Sequence, residues 1–327
     1  MERRDFLGLA AVTAVAAPTL AIAQRRGNPD ASLTAQRSGS NACLPTDWSR
    51  VPTRTAPKVE ILYKTTHGQP NGLAVTGNPE ELWVLDQGVD HWVTLTRVKD
   101  GSVIREFQCD VVGPSGLVID DDGVMWITST HNALIVAVDS HTGKTIAKYF
   151  TPGAGRIYEK AGDPPPRVTK MPHAYPDAAR GVGGPRNVVG NATGANLGPG
   201  QIALDAEEAP PGTGAHGVLS RGDELIYACP PTRQIVVLNK KTWEVQATWP
   251  TPGNRPHGMS WADPAHEYIW NVDSNLNAFY RFNARTGEVV EKIQLQDDPY
   301  TVSHGAKLLD GYMYFCDDVG WLCRFKM

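Results

Sequence analysis

The sequence predicts an all-β fold, and within that class a β-propeller, on three observations. A short glycine motif recurs five times, as "PNGLAV" from residue 70, "PSGLVI" from 114, "AHGVLS" from 215, "PHGMSW" from 256 and "SHGAKL" from 303. After every copy come further runs of β-branched and aromatic residues, parted by Gly, Asp and Asn turns, which is the signature of strands joined by hairpins. The last unit is one run short, and a run of the same kind stands unclaimed ahead of the first copy.

Each element follows in order. The second runs are "ELWVLD" from 81, "VMWITS" from 124, "ELIYAC" from 224, "EYIWNV" from 267 and "YMYFCD" from 312. Third runs are "HWVTLTRV", "ALIVAVD", "QIVVLN", "AFYRFN" and "WLCRFKM". The first four units then pass a polar turn, "KDGSVI", "SHTGKTI", "KKTWEV" or "ARTGEVV", into a fourth run. Four antiparallel strands repeated every 40 to 47 residues or so make a propeller blade. The chain stops at Met327 after the third run of its last unit, so "KVEILYKT" at 58–65 is expected to supply the missing strand and close the ring, leaving no open edge.

The number of blades follows from spacing. Asn71, Ser115, His216, His257 and His304 stand 44, 101, 41 and 47 residues apart. The long interval has room for one further blade, so six blades are expected rather than five. Residues 152–214, dense in Gly and Pro ("DPPP", "GVGGP", "GPG"), read as a structured insert or a degenerate blade. The domain plan is therefore 1–23, an N-terminal extension over 24–57, and a single propeller over 58–327.

Residues 1–23 carry Arg3 and Arg4 ahead of Phe6, Leu7 and an alanine-rich apolar run ending in Ala21, Ile22 and Ala23. This resembles a twin-arginine export signal with cleavage after Ala23, which places the mature chain in the periplasm or outside the cell. The alternative is a membrane anchor, but the run is too short and too rich in Ala and Thr for the roughly 20 apolar residues a span needs. A net charge of −4 and a pI near 6.1 give no basic surface for nucleic acid. No second apolar run reaches the length of a span. Five cysteines in an exported chain admit a disulfide, for which Cys316 and Cys323 are one geometric option and two buried free thiols the other. Nucleophile-elbow, phosphate-loop and dinucleotide motifs are absent from the sequence.

In a propeller the first strand of each blade lines the central channel, so the variable residue before each motif glycine points to the axis. Asn71, Ser115, His216, His257 and His304 are expected to form an axial ring. Three imidazoles converging from neighbouring blades suit a divalent transition metal with positions left open for water and substrate, and Asn71 would complete its shell or bind substrate. The other reading is a structural ring, in which one ancestral histidine was copied by duplication without becoming a ligand. Loops between second and third strands share the channel mouth, and Arg233 and Asp273 are the candidates there for substrate contact and proton transfer. His67, four residues before Asn71, is a third candidate acid, base or ligand. For each of these a role in loop or surface structure is the competing reading. His131, and His173 and Tyr175 of the insert, are further residues that would reach the mouth.

"PNGLAV…LWVLD" is similar to the pattern of the NHL-repeat and gluconolactonase (senescence-marker) propellers, which implies a divalent cation, calcium in that case, at Asn71 and Asp86. "PHGM…VDSNLNAFYRF" resembles the peptidyl-hydroxyglycine amidating lyases, NHL-type propellers whose axial histidines hold zinc, which implies His216, His257 and His304 as zinc ligands. In those lyases the histidines stand on non-adjacent blades, whereas here they fall on successive units. The expectation is an exported, metal-dependent propeller enzyme, zinc favoured and calcium possible as an alternative, a lyase or hydrolase of a small oxygenated organic molecule. A calcium lactonase and a non-enzymatic binding propeller are the rivals.

Overall fold

The computed structural model describes residues 50–88, 90–130, 133–154, 201–202, 214–253, 255–274, 276–295, 303–317 and 319–327. Blade 1 pairs Pro70–Val75, Glu81–Asp86, Trp92–Arg97 and Val103–Gln108 in chain order. Blade 2 pairs Pro114–Ile119, Val124–Ser129, Leu134–Asp139 and Thr145–Phe150, with Gln201–Ile202 on its outer edge. Val218–Arg221, Glu224–Cys229, Gln234–Asn239 and Val245–Pro250 form blade 3. In blade 4, Pro256–Trp261, Tyr268–Asp273, Ala278–Asn283 and Val289–Gln294 are followed outward by Thr53–Thr55, which pairs parallel to the last of them. Blade 5 consists of Ser303–Leu309, Tyr312–Asp317 and Trp321–Lys326, completed by the antiparallel N-terminal strand Glu60–Lys64. The ring is closed by that strand, as the repeat arithmetic requires.

Blade number is corrected from six to five. The innermost strands touch in an unbroken cycle, from blade 1 to blade 2 and so on to blade 5 and back to blade 1. Blades 2 and 3 flank the long interval, and their innermost strands meet directly, so no blade fits between them. Most of the interval at 152–214 lies outside the described residues. Its described parts are residues 152–154, the short edge strand at 201–202 and Gly214. The stretch 24–57, expected as an extension, contributes the edge strand Thr53–Thr55 to blade 4.

Each blade is buried on both faces, which is why the second and third runs read as nearly continuous apolar strings rather than alternating ones. The buried side chains fall into five clusters, one per blade interface. Trp83, Leu85 and Val93 of blade 1, for example, meet Met125, Ile127 and Val136 of blade 2. Burying one such aliphatic side chain contributes about 1.5–3 kcal/mol. Cys316 faces the cluster shared with blade 1, while Cys323 faces the cluster shared with blade 4. They therefore stand on opposite faces of one blade and form no disulfide with each other. At the ends away from the mouth, Asp120 of blade 2 accepts hydrogen bonds from the Trp126 indole at 2.8 Å and from Lys240 of blade 3 at 2.7 Å, a charged clamp across that interface.

The third-to-fourth turns repeat one solution. Asp139, Asn239 and Asn283 each cap two following backbone N–H groups with a side-chain oxygen. Gly143 and Gly287 then supply the left-handed residue at φ 75° and 73°. In blade 3 that position is Trp243, at φ 58°. Its ring stacks on Tyr149 at 4.1 Å, and its indole donates to the Phe150 carbonyl at 2.7 Å, contacts that offset the conformational cost of a bulky residue there.

Candidate functional site

The five motif residues do meet at the axis, and the glycine beside each explains how. In blades 1, 2, 4 and 5 the pairing of the two inner strands shifts register at the motif, so the chain bulges toward the axis there. In blade 3, His216 and Gly217 precede the strand but are tied to the second one through the Ala228 backbone. The bulge directs each motif residue's carbonyl at the glycine of the preceding blade. A Cβ on Gly72 would lie 2.5 Å from the Ser115 carbonyl oxygen, one on Gly116 2.1 Å from that of His216, and one on Gly217 2.3 Å from that of His257. Gly258 stands in the same relation to His304 at 2.2 Å, and Gly305 to Asn71 at 2.9 Å, which completes the circle after five steps. The glycines are thus required by close backbone approach around the axis.

So narrow an axis packs its side chains against one another. The Ser115 hydroxyl donates to the Asn71 side-chain oxygen at 3.4 Å, and the Asn71 amide donates to Gln87. His216 meets His257 edge-on, with ring centroids 4.3 Å apart, and His257 stacks on His304 at 4.6 Å and 18°. The three histidines are 2%, 0% and 3% exposed, so the cluster is closed off rather than lying at an open mouth. Among the described residues neither ring nitrogen of His257 has a partner in good hydrogen-bond geometry. Burial first, and then the His216 and His304 imidazoles and the Arg255 guanidinium, hold its pKa well below the ordinary histidine value, with a His304 backbone group acting weakly in the opposite sense. His257 is therefore neutral at pH 7, with a lone pair to give. Among the described residues no three His, Cys, Asp or Glu side chains stand in a metal-ligating arrangement. The stacked pair presents ring faces to each other rather than converging nitrogens.

The other expected residues are placed differently from one another. Asp273 is fully buried, and its carboxylate accepts the backbone N–H groups of Arg255 at 2.8 Å and Leu276 at 3.0 Å, so it ties the mouth loops of blade 4. Asp86 does the same in blade 1 for Gln69 and Gly88, both at 2.7 Å. His67 stacks on Trp92 at 4.8 Å and contacts Glu106 of the outermost strand at 2.9 Å, which turns it away from the axis. Arg233 is half-buried on the mouth loop of blade 3 in a left-handed conformation, φ 56°. His131, His173 and Tyr175 lie outside the described residues.

Two axial residues escaped the motif reading. Arg255, 9% exposed, sits two residues before His257 and adds positive potential beside it. Lys307, three residues after His304, is buried in the innermost strand of blade 5. The spacing from a recognised axial histidine is the one signal that pointed to either.

No family model matches the chain, and no curated protein is similar to it in sequence. Among solved structures it is similar to the glutaminyl cyclase of Myxococcus xanthus, at 9% identity and a TM-score of 0.53 over 85% of this chain and 97% of that one. It also aligns with the virginiamycin B lyase of Staphylococcus aureus, at 16% identity and a TM-score of 0.43 over 83% and 99% of the two chains. A streptogramin B lyase aligns at 16% identity and 0.42 over 82% and 96%. At such identities a likeness is one of fold, and the first of them places the chain, over nearly the whole length of that neighbour, within a fold shared with the glutaminyl cyclase.

Proposed function

We propose that the protein is a metal-dependent propeller enzyme whose axial histidines His216, His257 and His304 hold one divalent transition metal, zinc favoured. Its reaction is elimination or hydrolysis of a small oxygenated organic molecule. The observation that carries this reading is His257, whose two ring nitrogens are buried between two further imidazoles without a hydrogen-bond partner among the described residues. Leaving a buried polar atom unsatisfied costs about 1–3 kcal/mol, a cost that a metal accepting the lone pair would remove for one of the two nitrogens. Three imidazoles are the donor chemistry zinc prefers, and convergence on one ion requires the stacked rings of His257 and His304 to turn from face contact.

A bound metal would supply Lewis acidity toward a substrate carbonyl or hydroxyl oxygen. The chain's own residues supply the rest. His257 stays unprotonated through burial and like charge, and Arg255 adds a fixed positive charge at the axis. Arg233, on the mouth loop of blade 3, is the residue we assign to substrate contact. Asp273 holds the loop that carries Arg255 by accepting its N–H. A calcium-dependent lactonase using Asn71 and Asp86 has less support, because both oxygens of Asp86 already accept backbone N–H groups and Asn71 is engaged with Gln87 and Ser115.

Elemental analysis of tag-free protein, stripped with chelator and reloaded with zinc, tests the proposal. One equivalent per chain is expected in wild type, with most of it lost in each of His216→Ala, His257→Ala and His304→Ala. The losses should not add, since one missing ligand disables a shared site. Full occupancy in the three variants, or no metal retained by wild type, would overturn it and leave a binding propeller with a structural ring.

A further inference from the structure

The axis carries a second feature below the histidines. Just past the motif glycines, the innermost strands of all five blades surround a small cavity whose walls include Leu73, Leu117, Val218, Met259, Ala306 and Lys307. A volume of ≈ 10 Å³ there is open to the centre of a water-sized sphere, which is room for one small occupant. No carboxylate lines it among the described residues.

Among the described residues Lys307 is the one charged side chain in that wall. It is 5% exposed, and its Nζ donates to the Met259 carbonyl of blade 4 at 2.7 Å. Among the described residues this is the ammonium's one hydrogen bond, and no carboxylate pairs with it. An ammonium carries three donors, so two are left beside a cavity that holds one small occupant. Burial pushes the Lys307 pKa down to about 7. Buried charges in proteins are ordinarily paired, and Leu or Met would fill the same space without that cost.

We propose that this cavity is a binding site for a single monatomic anion, a halide such as chloride, held by the Lys307 ammonium. The size of the cavity excludes phosphate, sulfate and carboxylates. The charge of the lining favours an anion over a cation, since Lys307 stands in the wall and no carboxylate does among the described residues. A halide there pairs the buried lysine and braces the meeting point of five blades. It does not depend on whether the histidines above bind a metal.

Thermal unfolding at constant ionic strength tests the assignment, with sodium chloride or bromide exchanged for sodium gluconate, whose anion is too large to enter. Wild type is expected to melt about 3 °C higher at a tenfold excess of halide over its dissociation constant, and Lys307→Met to show no difference between the salts. In crystals soaked in bromide, one anomalous peak is expected on the axis in contact with the Lys307 Nζ. Equal melting of wild type in halide and gluconate, an equal halide response in Lys307→Met, or an axis without bromide would each overturn the proposal. Should Lys307→Met fail to fold, the wild-type melting comparison and the bromide map decide the matter without it.

Discussion

At the scale of single residues, the axial histidines have traded solvent for one another. His257 is the extreme case, fully buried between two imidazoles and beside Arg255, so its proton is held far more weakly in the folded chain than in the unfolded one. An unfolded histidine titrates near pH 6.5. Below that pH the unfolded chain takes up a proton that the native chain refuses, and the unfolded state gains. Stability should therefore be complete above about pH 6.5 and should fall as the pH drops toward the depressed native pKa, with a limiting slope of about 1.4 kcal/mol per pH unit from this residue. Urea midpoints of chelator-treated protein between pH 5 and 8 measure this. His257→Gln is expected to flatten the slope, and an unchanged slope would assign the acid sensitivity to other groups. Elsewhere at the same scale, Asp86, expected as a cation ligand, and Asp273, expected at the mouth for proton transfer, both have their oxygens engaged with backbone N–H groups.

At the scale of the element, the glycine motif is a packing device. Each copy sets a bulge in an innermost strand, and each glycine admits the carbonyl of the next blade's axial residue. The contact is with backbone, which cannot swing aside as a flexible side chain can. Gly116→Ala, whose new methyl would stand 2.1 Å from the His216 carbonyl oxygen, is expected to destabilise by about 3 kcal/mol or more. Gly123→Ala is the control. That residue sits in an open turn at φ 79° with nothing within 4 Å, so its substitution should cost about 1 kcal/mol from conformation alone. Chemical denaturation of the two variants separates the effects. Similar losses in both would mean that the glycines serve backbone freedom rather than close approach.

At the scale of the whole molecule, five interfaces and one closure hold the ring. Deleting residues 58–65 removes the strand that completes blade 5 and exposes an edge of Trp321–Lys326. We expect loss of the cooperative melting transition by circular dichroism, and soluble, cooperatively melting protein would refute closure as the source of stability. Replacing residues 50–57 by a flexible linker removes only the parallel edge strand of blade 4 and should leave a cooperative transition at a lower temperature. Much of this architecture was legible in the chain. Strands buried on both faces leave unbroken apolar runs, duplication leaves a repeated motif, and a last unit one strand short calls for a partner at the other end. Residue type and spacing alone thus determined the propeller, its closing strand and the identity of the five axial positions. Blade number was not legible, because the 101-residue interval between Ser115 and His216 is a distance along the chain, and only the direct meeting of blades 2 and 3 decides that it holds no blade in the ring. Nor was the side-chain arrangement at the axis. A motif places three histidines near one line, but ring orientation, the burial of His257, and the convergence of Arg255 and Lys307 on the same axis depend on how closely five strands pack, and that distance is set by the tertiary structure.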